Sequence, residues 1–424
     1  MIGSVAVVGG GIAGIQAALD LADSGYKTYL IESRPSIGGV MSQLDKTFPT
    51  NDCAMCILSP KLVETARHPN IELLGYSDVK SITGKAGDFK VKVIKKARYV
   101  DETKCTGCGT CTEKCPSKVP DEYNAGMSKR KSIYIPFAQA IPRVATIDSA
   151  HCLYLTKGKC GVCKKVCGPK AVDYEQKDRE IELDVGSVVL ATGFKPFDPS
   201  VLKQYRFDHP DVITSLQFER LLSASGPTQG HVTKQSDGKV PKHIAFIQCV
   251  GSRNPRIDRK HCSSVCCMYA TKESIIAKEH DPELDITIFH IDIRAYGKNF
   301  EEFYNRAQKE YGIRYVNSRP PEVIVNANNT LSLKYEDFNA RDLKTHNFDM
   351  VVLSIGLVPS ASSKDLADRL NIDLDRFGFC RTEELQPNAT SRPGIYVAGA
   401  FDAAALACAT VSGMSFGPCA TPQT

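Results

Sequence analysis

Seventeen cysteines stand among 424 residues, and their spacing is the first chemistry this sequence offers. Cys105, Cys108, Cys111 and Cys115 form the run C-x2-C-x2-C-x3-C, closed by Pro116. Thiolates at that spacing suit the corners of a [4Fe–4S] cube, a one-electron carrier. A second set, Cys152, Cys160, Cys163 and Cys167, opens with a longer gap and is followed by Gly168 and Pro169. In chains that carry two such runs, the fourth cysteine of each serves the other cluster. The expected ligand sets are therefore Cys105, Cys108 and Cys111 with Cys167, and Cys152, Cys160 and Cys163 with Cys115. Zinc also takes four thiolates, but the compressed first run favours iron and sulfide.

The remaining cysteines are less regular. Cys53-x-x-Cys56 reads as a redox dithiol or as half of a cluster completed by another chain. Cys249, Cys262, Cys266 and Cys267 match no ordinary spacing. On spacing alone they are buried thiols or a redox pair, and the adjacent Cys266 and Cys267 are awkward ligands for one centre. Cys380, Cys408 and Cys419 are single and read as structural or incidental. An odd cysteine count with ligand-like clustering, and an opening MIGSVAVVGGG that lacks a basic leader, point to a reducing cytoplasmic setting rather than to disulfides.

A second kind of chemistry lies at the N-terminus. Gly9-x-Gly11-x-x-Gly14 follows the apolar run Ser4–Val8 and opens a segment with helical periodicity. Gly9 permits a tight turn, Gly11 lets backbone approach a pyrophosphate, and Gly14 allows close helix–strand packing. The helix N-terminus stabilises the anion. Glu32, at the end of the next strand, is placed to bind the ribose hydroxyls of an adenosine and would repel a 2′-phosphate. A glycine-rich turn without a ligand is the alternative, and the full strand–turn–helix–strand–acid context stands against it. Three further features resemble the two-dinucleotide-domain flavoproteins and imply FAD: Gly38-Gly39 after the acid, Ala191-Thr192-Gly193 at a strand end, and Gly399-Ala400-Phe401-Asp402 after a final strand. The expected flavin contacts are Gly9, Gly11, Ala13, Gly14, Glu32, Ser33, Gly38, Gly39, Ala191, Thr192, Gly193, Gly399, Ala400, Phe401 and Asp402.

These residues need an α/β frame. Tyr26–Ile31 reads as a second strand, Asp52–Arg67 as a helical segment, and Leu73–Tyr99 as a small antiparallel meander. From Asp101 the composition turns to Cys, Lys and Gly, as in a small module held by ligation rather than by a core. A second strand–turn–helix unit starts at Ile244–Gln248 and reaches the strand Ile286–Ile291, but Cys249-Val250-Gly251-Ser252-Arg253 stands where a nicotinamide-binding half would carry a second glycine fingerprint. Direct reduction by a nicotinamide is therefore not expected. The organisation expected is a FAD-binding domain over 1–100 and 176–240, to which 350–424 returns, a two-cluster ferredoxin domain of α+β type inserted over 101–175, and a second Rossmann-like domain over 241–349. A formal net charge of +5, with 42% apolar and 24% charged residues, excludes a disordered tail and gives no footprint for nucleic acid. No apolar stretch approaches the roughly 20 residues of a membrane span.

Taken together, the chain resembles the HdrA family of heterodisulfide reductase components. The resemblance is carried by the glycine turn, the segment Phe48-Pro-Thr-Asn-Asp-Cys53-Ala-Met-Cys56-Ile-Leu-Ser-Pro-Lys61, and the cysteine module. It is carried also by Gln248-Cys249-Val-Gly-Ser-Arg253 with Cys262-Ser-Ser-Val-Cys266-Cys267-Met-Tyr269, and by Ser391-Arg-Pro-Gly-Ile-Tyr-Val-Ala-Gly-Ala-Phe401. It implies a thioredoxin-reductase-like two-dinucleotide-binding fold, and a third [4Fe–4S] cluster near the flavin on Cys249, Cys262, Cys266 and Cys267. In that family FAD splits electron pairs from hydrogen or formate. One electron goes to ferredoxin and the other, through partner subunits, to the mixed disulfide of coenzymes M and B. The implied partners are the other subunits of such a complex, a hydrogenase or formate dehydrogenase module, and ferredoxin. Against the long form of the family, terminal cluster domains are not expected here, and the stretch after Asp402 departs from the family pattern. Two other readings use the same residues: a non-bifurcating relay of a quinone-linked complex, and a stand-alone dithiol reductase working through Cys53 and Cys56.

Overall fold

The computed structural model describes residues 2–338, 341–360, 363–383 and 385–401. They form two compact units. The first comprises Met1–Ser42, Cys56–Gly193 and the described part of Ser360–Ala403; the second comprises Gln43–Met55 and Phe194–Pro359.

The first unit is built on a parallel five-stranded sheet in the order Ile395–Val397, Ser187–Leu190, Ser4–Val8, Lys27–Glu32, Ile71–Gly75. Its strands are short apolar runs buried on both faces, as parallel sheets require. The helix Ile12–Asp23 connects the first two strands and buries Ile15, Ala18, Leu19 and Ala22. Because the strands run in one direction, Gly9–Gly14, Glu32, Ala191–Gly193 and Gly399–Phe401 all emerge at the same, carboxyl end of the sheet. The expected meander is realised differently. Ile71–Gly75 joins the parallel sheet, and only Ser77–Lys85 and Asp88–Lys95 pair antiparallel, with Arg179–Val185 as third strand.

Residues between these antiparallel strands, from Val100 to Tyr174, make the cysteine-rich insert. Its helices are five residues each, Thr110–Lys114, Leu153–Lys157 and Val162–Val166, and its strands only two or three. The expectation of a module without a core does not hold. Val100, Ile133, Val144, Ala145, Ile147, Ala171, Val172 and Tyr174 form a buried apolar cluster, and the cysteines pack into or against it. Valines and isoleucines too sparse to show a period in sequence are gathered here by tertiary contact alone.

The second unit has its own parallel sheet, in the order Val212–Thr214, Met350–Ile355, His243–Val250, Asp285–His290, Arg314–Asn317. The helices Ser215–Leu222, Cys266–His280 and Phe300–Lys309 accompany it. Two boundaries thus differ from those that composition suggested. Residues 194–240 and the strand Met350–Ile355 belong to the second unit, because Val212–Thr214 and Met350–Ile355 pair with each other and complete its sheet. Polar, Gly/Ser-rich composition hid a three-residue strand and a helix capped by Thr214, whose hydroxyl accepts the Gln217 N–H. Among the described residues no helix is long and apolar enough to cross a membrane.

Candidate functional site: a glycine turn, two cysteine hollows and a cysteine cluster

The glycine turn is held from below by glutamate. Glu32 is buried, and its Oε2 accepts the Gly10 N–H at 2.7 Å while Oε1 accepts the Arg34 N–H at 2.7 Å and the Ser33 hydroxyl at 3.3 Å. Gly38 N–H reaches the Gly10 carbonyl at 2.7 Å, so the Gly38-Gly39 pair closes over the same turn. Each glycine is there for space. A Cβ on Gly9, where φ is +112°, would sit 2.2 Å from the Ala191 carbonyl, and one on Gly14 would sit 1.8 Å from the Gly9 carbonyl. Gly10, which the fingerprint alone did not single out, is as tight, with Ile37 at 2.5 Å. Gly11 is the exception: its Cβ would meet only the Gly39 Cα, at 4.0 Å.

Space is therefore left over the start of Ile12–Asp23, whose N-terminal N–H groups no side chain caps, the arrangement an anion uses. Beside it, the buried Thr192 hydroxyl has no hydrogen-bond partner, and a Cβ at Gly193 would meet nothing within 4 Å. These residues fit a dinucleotide. Gly399, Ala400 and Phe401 form a buried 3-10 turn at the end of the neighbouring strand. Ala13 lies in the first turn of the helix, and Asp402 lies outside the described residues.

In the insert, the two cysteine runs fold as matching halves. Gly109 and Gly161, both left-handed at φ +83° and +93°, start the short helices that carry Cys111 and Cys163. Cys115 and Cys167 then leave those helices in extended backbone. The result is two hollows. One is lined by Cys105, Cys108, Cys111 and Cys167 with Val100, Ile135, Ala145 and Ala171. The other is lined by Cys115, Cys152, Cys160 and Cys163 with Ile133, Ile147, Leu153, Tyr154 and Tyr174. In each, three cysteines come from one run and the fourth from the other. Among the described residues no group of three or more His, Cys, Asp or Glu closes on a single ion. Each set of thiols rings a space instead, which suits four separate corners of a cube.

Burial pushes the Cys111 thiol up to about 11 and raises Cys163 as well, whose Sγ lies 2.9 Å from the Tyr174 hydroxyl. Cys108, exposed and facing the Thr110 backbone and hydroxyl, is held below the usual thiol range. Ligation would take the proton from each.

Residues 3–233 match the sequence profile of the pyridine nucleotide-disulphide oxidoreductases. The chain belongs to that family. It is 48% identical over 396 residues to the HdrA component of the H2:CoB-CoM heterodisulfide,ferredoxin reductase of Methanothermobacter marburgensis, covering 93% of this chain and 59% of that protein. It is 46% identical over 400 residues to the HdrA iron-sulfur component of the CoB–CoM heterodisulfide reductase of Methanocaldococcus jannaschii, covering 93% and 60%. The chain thus spans about three-fifths of the length of these relatives. Among solved structures, thioredoxin reductase of Lactococcus lactis superposes with a TM-score of 0.51 at 15% identity, over 96% of this chain and 95% of that one. The fold is accordingly the thioredoxin-reductase-like α/β fold with two dinucleotide-binding halves.

In this oxidoreductase the second half departs from the dinucleotide pattern. The strand His243–Val250 runs two residues beyond the length its apolar pattern suggested, with a register shift between Ile247 and Val250 and Cys249 left-handed at φ +61°. Cys249, Cys266 and Cys267 are buried and Cys262 is half-buried. They are close enough to raise one another's thiol pKa. Burial is the larger cause and takes Cys267 to about 12. The neighbouring thiols diverge: Cys266 Sγ faces the Ile355 carbonyl and Cys267 Sγ the Asp292 carbonyl, each at 3.8 Å. Arg253, ion-paired with Asp292, lies beside Cys249 and Cys262. Cys53 and Cys56 are exposed, the first immediately before the helix Ala54–Arg67 and the second in its first turn. Cys380 is buried in the core of the first unit, as a structural thiol. Cys408 and Cys419 lie outside the described residues.

Sequence reasoning missed a buried ionic cluster in the second unit. Lys272 and Glu219 pair at 2.6 Å with side chains 2% and 1% exposed. Charged residues ordinarily read as solvated faces, and the signal available was their place in helices flanked by apolar strands.

Proposed function

We propose that the chain is the FAD- and iron–sulfur-carrying electron-transfer subunit of a heterodisulfide-reductase-type complex. The observation that carries this reading is the pair of hollows in the insert, each gathering four cysteines from both runs, in a chain whose sheet end bears a dinucleotide turn. Cys105, Cys108, Cys111 and Cys167 would hold one [4Fe–4S] cluster of an inserted ferredoxin domain, and Cys115, Cys152, Cys160 and Cys163 the other. Cys249, Cys262, Cys266 and Cys267 would hold a third. Gly9–Gly14, Glu32, Gly38, Gly39, Ala191–Gly193 and Gly399–Phe401 would hold FAD. Bound FAD supplies two-electron chemistry and the clusters supply one-electron carriage. The protein's own part is to bury and orient: glycines admit the pyrophosphate, Glu32 reads the ribose, and apolar walls set the surroundings of the sulfurs.

The names of the relatives support the finer reading, in which electron pairs divide between ferredoxin and a CoM-S-S-CoB-type disulfide with a hydrogenase or formate dehydrogenase module upstream. Anaerobic purification followed by iron and flavin analysis tests the cofactor set. About twelve irons and one FAD per chain are expected. About eight irons would remove the third cluster, and a chain with full iron and no flavin would overturn the reading.

A further inference from the structure

The helix Cys266–His280 carries the adjacent cysteines in its first turn and Lys272 and Glu273 further on. Lys272 is 1% exposed and Glu273 2%, and Glu219, on the helix Ser215–Leu222, is 0%. Charges this deep persist only when paired and hydrogen-bonded. Lys272 Nζ donates to Glu219 Oε1 at 2.6 Å and to the Lys46 carbonyl at 2.9 Å, and the same Oε1 accepts the Asp45 N–H at 2.8 Å. That accounts for one oxygen of Glu219. The other, Oε2, and Oε2 of Glu273 are buried with no donor, and the two carboxyl groups lie within hydrogen-bonding reach of each other. Two carboxylates in contact offer only acceptors. One proton between them turns that repulsion into a hydrogen bond and leaves a single negative charge opposite a single ammonium.

We propose that Glu219 and Glu273 share one exchangeable proton, and that an electron arriving at the four-cysteine centre of the same helix tightens its binding. The coupling rests on the reading that Cys249, Cys262, Cys266 and Cys267 hold a cluster. Cys266 and Glu273 are two helical turns apart on one face, about 10 Å along the axis. At an effective dielectric of about 20, a unit charge at that distance moves a carboxyl pKa by about one unit. Where the pair titrates, one electron entering from a low-potential one-electron donor brings in up to one proton from solvent, bound on Glu273.

The groups facing the pair are Lys272 and Tyr269 on its own helix and Asp45 on the segment Gln43–Met55, with Lys46 and His280 acting on Asp45. Asp45 is only partly buried and marks the way in for the proton. Burial and Glu219 together hold the Glu273 carboxyl well above the usual range, which supports a proton resident at neutral pH.

The test is a redox titration of the third centre at several pH values, in the full anaerobically purified protein and in Glu273→Gln, which still donates to Glu219. The wild-type potential is expected to fall with rising pH over a window about one unit wide, and E273Q is expected to keep its iron and its paramagnetic signal while losing that dependence. A dependence that survives in E273Q overturns the proposal. If E273Q does not fold, the wild type decides alone, since a flat potential overturns the coupling. An iron count near eight would overturn the cluster reading itself, and the coupling with it. The shared proton is tested apart from any cluster by the protonated-carboxyl infrared band, expected at neutral pH in the wild type and lost in E273Q; its absence from the wild type overturns the proposal.

Discussion

At the scale of single residues, Cys167 decides most. It ends the second run in sequence but lines the hollow of the first, with Cys105, Cys108 and Cys111. Its Sγ accepts the Ala171 N–H at 3.2 Å, so its direction is set by backbone. Cys167→Ala should therefore remove about four irons while sparing the centre that involves Cys152, Cys160 and Cys163. Iron analysis with paramagnetic resonance of the reduced protein reads this, and loss of the Cys152 centre instead would refute the exchanged assignment. This exchange was legible in sequence because a compressed run has one geometric solution when two are present. The environment of each thiol was not. That Cys111 and Cys163 are buried and Cys108 and Cys160 exposed depends on residues such as Ile133, Ile147 and Tyr174, which no spacing rule connects to them. The same holds at the flavin turn. Gly9, Gly11 and Gly14 announced themselves, whereas the Gly10 N–H on Glu32 needs the strand Lys27–Glu32 laid beside Ser4–Val8 before it exists.

At the scale of elements, strand–turn–helix order was readable wherever apolar runs were long, and failed where pairing is decided by distant partners. Val212–Thr214 has three residues and no signal of its own; it is a strand because Met350–Ile355 offers it an edge. Helix Cys266–His280 shows the cost of reading charge as surface. Its Lys272 and Glu273 point inward, where Glu219 ties the helix Ser215–Leu222 and the backbone of Asp45 and Lys46 to it. Glu219→Ala would strand the Lys272 ammonium in an apolar core, and a loss of about 3–5 kcal/mol is expected. Glu219→Leu with Lys272→Met replaces the pair by apolar volume and should recover much of that loss, since the desolvation penalty disappears with both charges. Chemical denaturation of the single and double variants measures it. A double variant as unstable as the single would mean that the hydrogen bonds to the Asp45 and Lys46 backbone, not the charges, hold the helices together.

At the scale of the whole molecule, this chain has centres for electrons and no arrangement of side chains that would activate a substrate by acid–base or nucleophilic chemistry among the described residues. The sheet end of the first unit suits a two-electron cofactor, while the insert suits one-electron carriers and exposes Cys108 and Cys160 at its surface. A chain so equipped needs other proteins at both ends of the electron path. Anaerobic purification from its native source should bring down cysteine-rich subunits together with a hydrogenase or formate dehydrogenase module. Quinone-reactive membrane subunits in their place would favour the relay. If the chain emerges alone and flavin-loaded, the exposed Cys53 and Cys56 become the working pair, and a disulfide offered to the reduced protein should then be cleaved by wild type and not by a variant lacking both. The outcomes separate cleanly because they differ in which atoms meet the substrate. In the complex, the disulfide never touches this chain; in the dithiol reading, it must.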